Sequence, residues 1–150
     1  MEYITDNMQK YENYKEQMTR LKKALTSGFY LEAIAIEYAI IEDRVESVLR
    51  HTGVFNPEKH NTLNKKLNRL SELQRNKKGL VRKYLSEELL QSIYTWKDER
   101  NPMAHALLKL HLHTEDLQSI ALTGKTLVDM LSTKVRSYNK ALERLTAPQR

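Results

Sequence analysis

A chain of 150 residues, 40% hydrophobic and 29% charged, is long enough for one domain with a buried core. It carries no cysteine and a net charge of +6, which excludes disulfides and thiolate metal sites and suits a reducing cytoplasm. No apolar run approaches the ~20 residues that span a bilayer, and Glu2 and Asp6 fit no signal peptide, so no membrane partner is expected.

Only four glycines and three prolines are present, too few for the tight turns of a many-stranded fold. Together with abundant Leu, Lys, Glu and Ala, they predict an all-α antiparallel bundle of about four to five helices, one domain over residues 1–150. From Thr5 to Thr26 the residues Ile4, Met8, Tyr11, Tyr14, Met18, Leu21 and Leu25 recur every three or four positions, the stripe of a first helix. Ser27-Gly28 punctuates it. In the second helix Leu31, Ile34, Tyr38, Ile41, Val45 and Val48 descend one face, with Glu32, Glu37, Asp43 and Glu46 on the other. Thr52-Gly53 ends that helix and Asn56-Pro57 marks a loop.

The charge is regional. Lys59 to Lys83 holds nine basic residues against Glu72 alone, a net +8 that leaves the rest of the chain at −2. Such a patch suits a polyanion, because each phosphate neutralised releases counterions. It also has a plainer reading as a solvated segment that keeps the protein soluble. Within it Leu63, Leu67 and Leu70 predict a short helix, and Asn76 to Gly79 a turn.

Ser86 followed by Glu87 and Glu88 reads as an N-cap with acids in the first turn, where the helix dipole favours them. Leu89, Ile93 and Trp96 form the buried stripe of this fourth helix, and Arg100 continues it. An arginine on an apolar face needs a partner or a ligand. Pro102 disfavours a regular helix interior, so Asn101 is expected to cap a fresh helix that opens on Pro102 and runs to about His113. Arg100 and His105 would then border an electropositive helix N-terminus, a seat for phosphate. Thr114-Glu115-Asp116 opens a last helix whose stripe, from Leu117 through Gly124 and Val135 to Leu145, spans about 30 residues, or ~45 Å. A helix that long is expected to outrun its bundle and touch a second subunit.

Two long amphipathic helices, a basic connector, a helix ending in Arg, a restart bearing His and a long final helix resemble the HEPN family. Its small helical bundles carry an Arg-x(4–6)-His motif late in the domain. Here Arg100 and His105 match the motif with four residues between them, and Asn101 matches the polar residue that commonly follows the arginine. The resemblance implies a homodimer in which two motifs share a cleft, and a metal-independent endoribonuclease of the toxin–antitoxin or phage-defence kind. It needs no cofactor, and its partners are RNA and an antitoxin or other protein. Arg100, Asn101 and His105 would be catalytic. Lys65, Lys66, Arg69, Lys77, Lys78 and Arg82 of the basic segment would bind substrate. A tyrosine that some members carry two residues after the histidine is Leu107 here, so regulation through that residue is not implied.

Other readings compete. A non-catalytic RNA- or protein-binding module would keep the architecture and use only the basic patch. Arg100 would then pair with an acid such as Glu42, while His105 caps a helix or fills the core. Arg44 to His51 also satisfies Arg-x6-His, but lies within the second helix without a break and reads as surface residues. His111 and His113 beside Glu115 and Asp116 do not converge on one ion as an i,i+4 pair would. Tyr11, Tyr14, Tyr38, Tyr138 and Trp96 read as core. No Gly-rich phosphate loop or nucleophile elbow is present, so nucleotidase and serine-hydrolase readings lack support.

Overall fold

Six helices and no strand make up the described residues of a computed structural model, which cover 7–106 and 113–147, with side chains omitted at 103–106. They are α1 (Asn7–Ser27), α2 (Tyr30–Thr52), α3 (Leu63–Arg75), α4 (Leu80–Tyr84), α5 (Glu87–Ala106) and α6 (Thr114–Thr146). The all-α bundle expected from composition is present, with six helices among the described residues where about four to five were anticipated. The extra element is α4, a single short turn within the basic segment. It buries Val81, which had no stripe around it to announce a helix.

Local chemistry sets the boundaries. Gly28 and Gly53 adopt left-handed backbone, φ 77° and 80°, a conformation that costs a residue with a Cβ. After Gly53 the Val54 N–H returns to the Leu49 carbonyl at 3.0 Å, closing α2 in the manner of a glycine C-cap. Thr62 Oγ1 accepts from the Lys65 N–H at 3.2 Å and Ser86 Oγ from the Leu89 N–H at 3.1 Å. Each satisfies a donor that would otherwise be orphaned at a helix start.

Helix α2 is the hub, packing on α1, α3 and most extensively on α6. Ile41, Val45, Val48 and Leu49 from α2 and Val128, Leu131 and Val135 from α6 are all fully buried. Each such side chain contributes roughly 1.5–3 kcal/mol relative to exposure. Having neighbours on several sides corrects the two-faced reading of α2. Leu31 is exposed, whereas Glu37 and Ser47, outside the apolar stripe, are buried.

A second correction concerns Pro102. Helix α5 continues through it to Ala106, so Asn101 does not cap a new helix and Arg100 lies inside α5. The proline deprives the Asp98 carbonyl of its helical donor. Asp98, Asn101 and Pro102 all lie on exposed surface, where water can serve that carbonyl, and the helix tolerates the loss. The segment that should carry it on, including Leu107, Leu110 and His111, falls outside the described residues. Helix α6 starts at Thr114 as expected and runs 33 residues, about 50 Å at the standard rise. Its last turn is exposed, with Leu145 at 72%.

Candidate active site

Arg100 of α5 reaches Tyr38 of α2 through its side chain. Trp96, one turn earlier, is buried and its indole Nε1–H donates to the Ile120 carbonyl of α6 at 2.9 Å. The Tyr38 ring of α2 lies 6.3 Å from the Trp96 ring, tilted by 33°. On that platform the half-buried Arg100 guanidinium rests 4.0 Å from the Tyr38 ring centroid. A cation over an aromatic face gains about 0.5–2 kcal/mol, depending on desolvation. A cation–π contact of this kind occupies no carboxylate, so the guanidinium can still engage an anion.

Glu42 does not take Arg100. Its carboxylate accepts instead from Lys66 Nζ at 2.7 Å, and Glu46 lies 3.2 Å from the same ammonium. Among the described residues Arg100 forms no ion pair. Asn101 is exposed beside it. The backbone of position 105 lies in α5, and the His105 side chain falls outside those described. On an unbroken helix, positions 101 and 105 are one turn apart on one face, whereas position 100 is about 140° around the axis from 105. One copy of α5 therefore does not present all three positions on a single face.

Beneath the platform lies a residue that the sequence placed on the wetter side of α2. Glu37 is fully buried, and neither carboxylate oxygen has a hydrogen-bond partner among the described residues. Burial pushes its pKa up to about 9, a rise that the charge of Lys125 only partly offsets. Gly124 of α6 makes the room: a Cβ there would overlap the Glu37 carboxyl and come within 2.9 Å of the Trp96 ring. Nothing in helical spacing distinguished Glu37 from the surface acids around it. The available signal was Gly124, a glycine within an otherwise continuous stripe.

The basic segment divides. Lys66 is buried and paired with Glu42 and Glu46, so it is a packing residue rather than an accessible substrate contact. Burial depresses its ammonium pKa, and the two carboxylates more than restore it. Arg69 bonds Glu72 at 2.7 Å one turn along α3. Lys65 is exposed and reaches Asn61 Oδ1. Lys77, Lys78 and Arg82 are exposed around the α3–α4 turn, and Arg82 lines an open groove with Gln74, Glu87 and Gln91. No three of His, Cys, Asp and Glu converge among the described residues. No described helix is long and apolar enough to cross a membrane.

Set against known proteins, the chain matches no family model, no curated protein and no solved structure.

Proposed function

We propose that the protein is a metal-independent endoribonuclease of the HEPN type, acting as a homodimer. The observation that carries this reading is the half-buried Arg100, held on Tyr38 with no carboxylate paired to it among the described residues. Buried cationic groups are costly unless paired, so an arginine built into an aromatic platform without an acid is suited to an anionic ligand. The resemblance in Arg100, Asn101 and His105 supplies the rest of the reading.

His105 removes the proton from a ribose 2′-hydroxyl or donates one to the leaving 5′-oxygen. Arg100 stabilises the charge that grows on the phosphorus oxygens in the transition state. Asn101 orients the arginine or hydrogen-bonds the phosphate. Because positions 100 and 105 diverge around α5, the residues of a second copy complete the acid–base pair. Lys65, Lys77, Lys78 and Arg82 guide the RNA electrostatically, which makes binding sensitive to salt.

The nucleophile is the substrate's own hydroxyl, so the products are a 2′,3′-cyclic phosphate and a 5′-hydroxyl end. The test is incubation of the chain with RNA and with DNA of the same sequence in excess chelator. RNA is cut to cyclic-phosphate ends and DNA is left whole. Equal cleavage of both, or no cleavage across a broad RNA panel, overturns the reading.

A second reading, a non-catalytic RNA- or protein-binding module, draws on the exposed Lys77, Lys78 and Arg82. Under it, charge reversal at those three positions abolishes function, while Arg100→Ala and His105→Ala behave as the parent.

A further inference from the structure

The Arg44–His51 pair, set aside in the sequence as surface residues, lines a cleft of the described structure. This cleft of about 420 Å3 lies between α1, α2 and α6. Ser47, on its wall, is nine residues from Tyr38, about half a turn around α2. The cleft thus opens on the opposite side of the helix from the Arg100 platform. From the residues that line it, we infer that the cleft binds a phosphate monoester.

Charge comes first. Four cations, Lys10, Arg44, Arg136 and Lys140, line the cleft against two acids, Asp43 and Glu143. The excess of two positive charges matches a phosphate monoester dianion. Asp43 is already engaged, by Lys10 at 3.0 Å and Arg44 at 2.6 Å. Burial raises its carboxyl pKa, but the hydrogen bonds and charges of Arg44 and Lys10 outweigh that and hold it below the usual range. Arg136 and Lys140 lie one turn apart on the exposed side of α6, and neither forms an ion pair among the described residues. Two like charges at that spacing repel, and a shared anion between them relieves the repulsion.

The uncharged groups add direction. His51 Nδ1 lies 2.8 Å from the Ser47 carbonyl. A carbonyl only accepts, so Nδ1 carries the proton and Nε2 is left as an acceptor, suited to a hydroxyl of the organic group rather than to an oxygen of the dianion. Tyr14 donates its hydroxyl to Ser132 Oγ at 2.9 Å while the Arg44 guanidinium covers its ring at 5.6 Å, which fixes one wall. Small-molecule pockets commonly enclose roughly 300–1,000 Å3, so the cleft has space for an organic group beyond the phosphate. The exposed Tyr11 ring at its mouth offers that group an apolar surface. None of this depends on Arg100, His105 or ribonuclease activity.

A small sugar ester and an RNA 5′ end both carry such a phosphate, and the experiment separates them. The full chain is titrated with inorganic phosphate, with ribose 5-phosphate against ribose, and with a 5′-phosphorylated oligoribonucleotide against its 5′-hydroxyl form. Calorimetry and the imidazole NMR signals of His51, assigned through His51→Gln, report binding. Saturable one-to-one binding that moves the His51 signals is expected, with at least tenfold loss in Arg136→Ser/Lys140→Ser. Both substituted positions are exposed, and a thermal melt confirms the fold. Preference for either phosphorylated compound over its hydroxyl counterpart supports the site and identifies the source. Absence of saturation, no preference in either pair, or equal weakening of ribose 5-phosphate binding by Lys22→Ser/Lys23→Ser, a pair of exposed α1 cations outside the cleft, overturns it.

Discussion

The Arg100 guanidinium lies over the Tyr38 ring, 4.0 Å from its centroid, and this contact joins α5 to the central helix of the bundle. It gives the arginine a fixed position without spending its hydrogen-bond donors on a carboxylate. If the arginine serves a phosphate, the ring matters as a flat surface and its hydroxyl does not. Tyr38→Phe should retain RNA cleavage within about twofold, whereas Tyr38→Leu should lower kcat by tenfold or more. Stability measured in urea should fall by only about 1–2 kcal/mol in the leucine variant, the scale of a lost cation–π contact plus trimmed packing.

Glu37 links stability to pH. Its pKa near 9 in the folded chain lies above the ordinary 4.5, so between those values the folded state holds a proton that the unfolded state has released. Its contribution to stability is therefore full below pH 4.5 and is lost as pH rises towards 9, at up to about 1.4 kcal/mol per pH unit. Glu37→Gln keeps the shape and cannot ionise. Urea midpoints at pH 5, 6.5 and 8 should fall steadily in the parent and much less in the variant, with the variant the more stable at pH 8.

Gly124 is required by the same niche. A methyl group there meets the Glu37 carboxyl and the Trp96 ring, and overpacking of this kind costs about 1–3 kcal/mol. Gly124→Ala should lower the thermal midpoint. Adding Glu37→Ala should recover part of the loss, because one of the two obstructing groups is gone. A double-mutant cycle measures that coupling.

Lys66 and its basic neighbours should part company under mutation. Lys66→Met leaves Glu42 and Glu46 facing each other without their shared cation, and destabilisation of about 1–3 kcal/mol is expected, since both acids keep some access to water. RNA affinity, measured on folded protein at fixed salt, should barely change. Lys77→Glu/Lys78→Glu should do the reverse: unchanged melting, and RNA affinity reduced at least tenfold with a shallower salt dependence.

Helical periodicity carried the long elements because α2, α5 and α6 each bury an apolar stripe; α1 is the exception, burying only Leu21 and Ala24, while Met8 and Tyr11, read as part of its stripe, are exposed. Start signals such as Ser86 and stop signals such as Gly53 operate through hydrogen bonds within a few residues, so they too can be read locally. Three features could not be read this way. Pro102 was expected to break a helix, but it falls on an exposed side of α5, where water can replace the missing donor and the break is unnecessary. Glu37 and Lys66 looked like surface charges, and their burial depends on α6 and on Glu42 and Glu46, which lie far from them in the chain. Tyr38 was legible as an apolar position but not as the support of Arg100, because α5 and α2 meet only in the folded bundle.

The central claim is that Arg100 and His105 together process a ribose phosphate. It is tested most directly by RNA cleavage in excess chelator with the parent chain, Arg100→Ala, His105→Ala and an equimolar mixture of the two variants refolded together. The parent should cut RNA, and each variant alone should lose activity by a hundredfold or more with its melting temperature nearly unchanged. Mixed dimers should recover part of the rate, because each copy supplies what the other lacks. A parent that leaves every RNA intact, or variants that cut as fast as the parent, would contradict the claim.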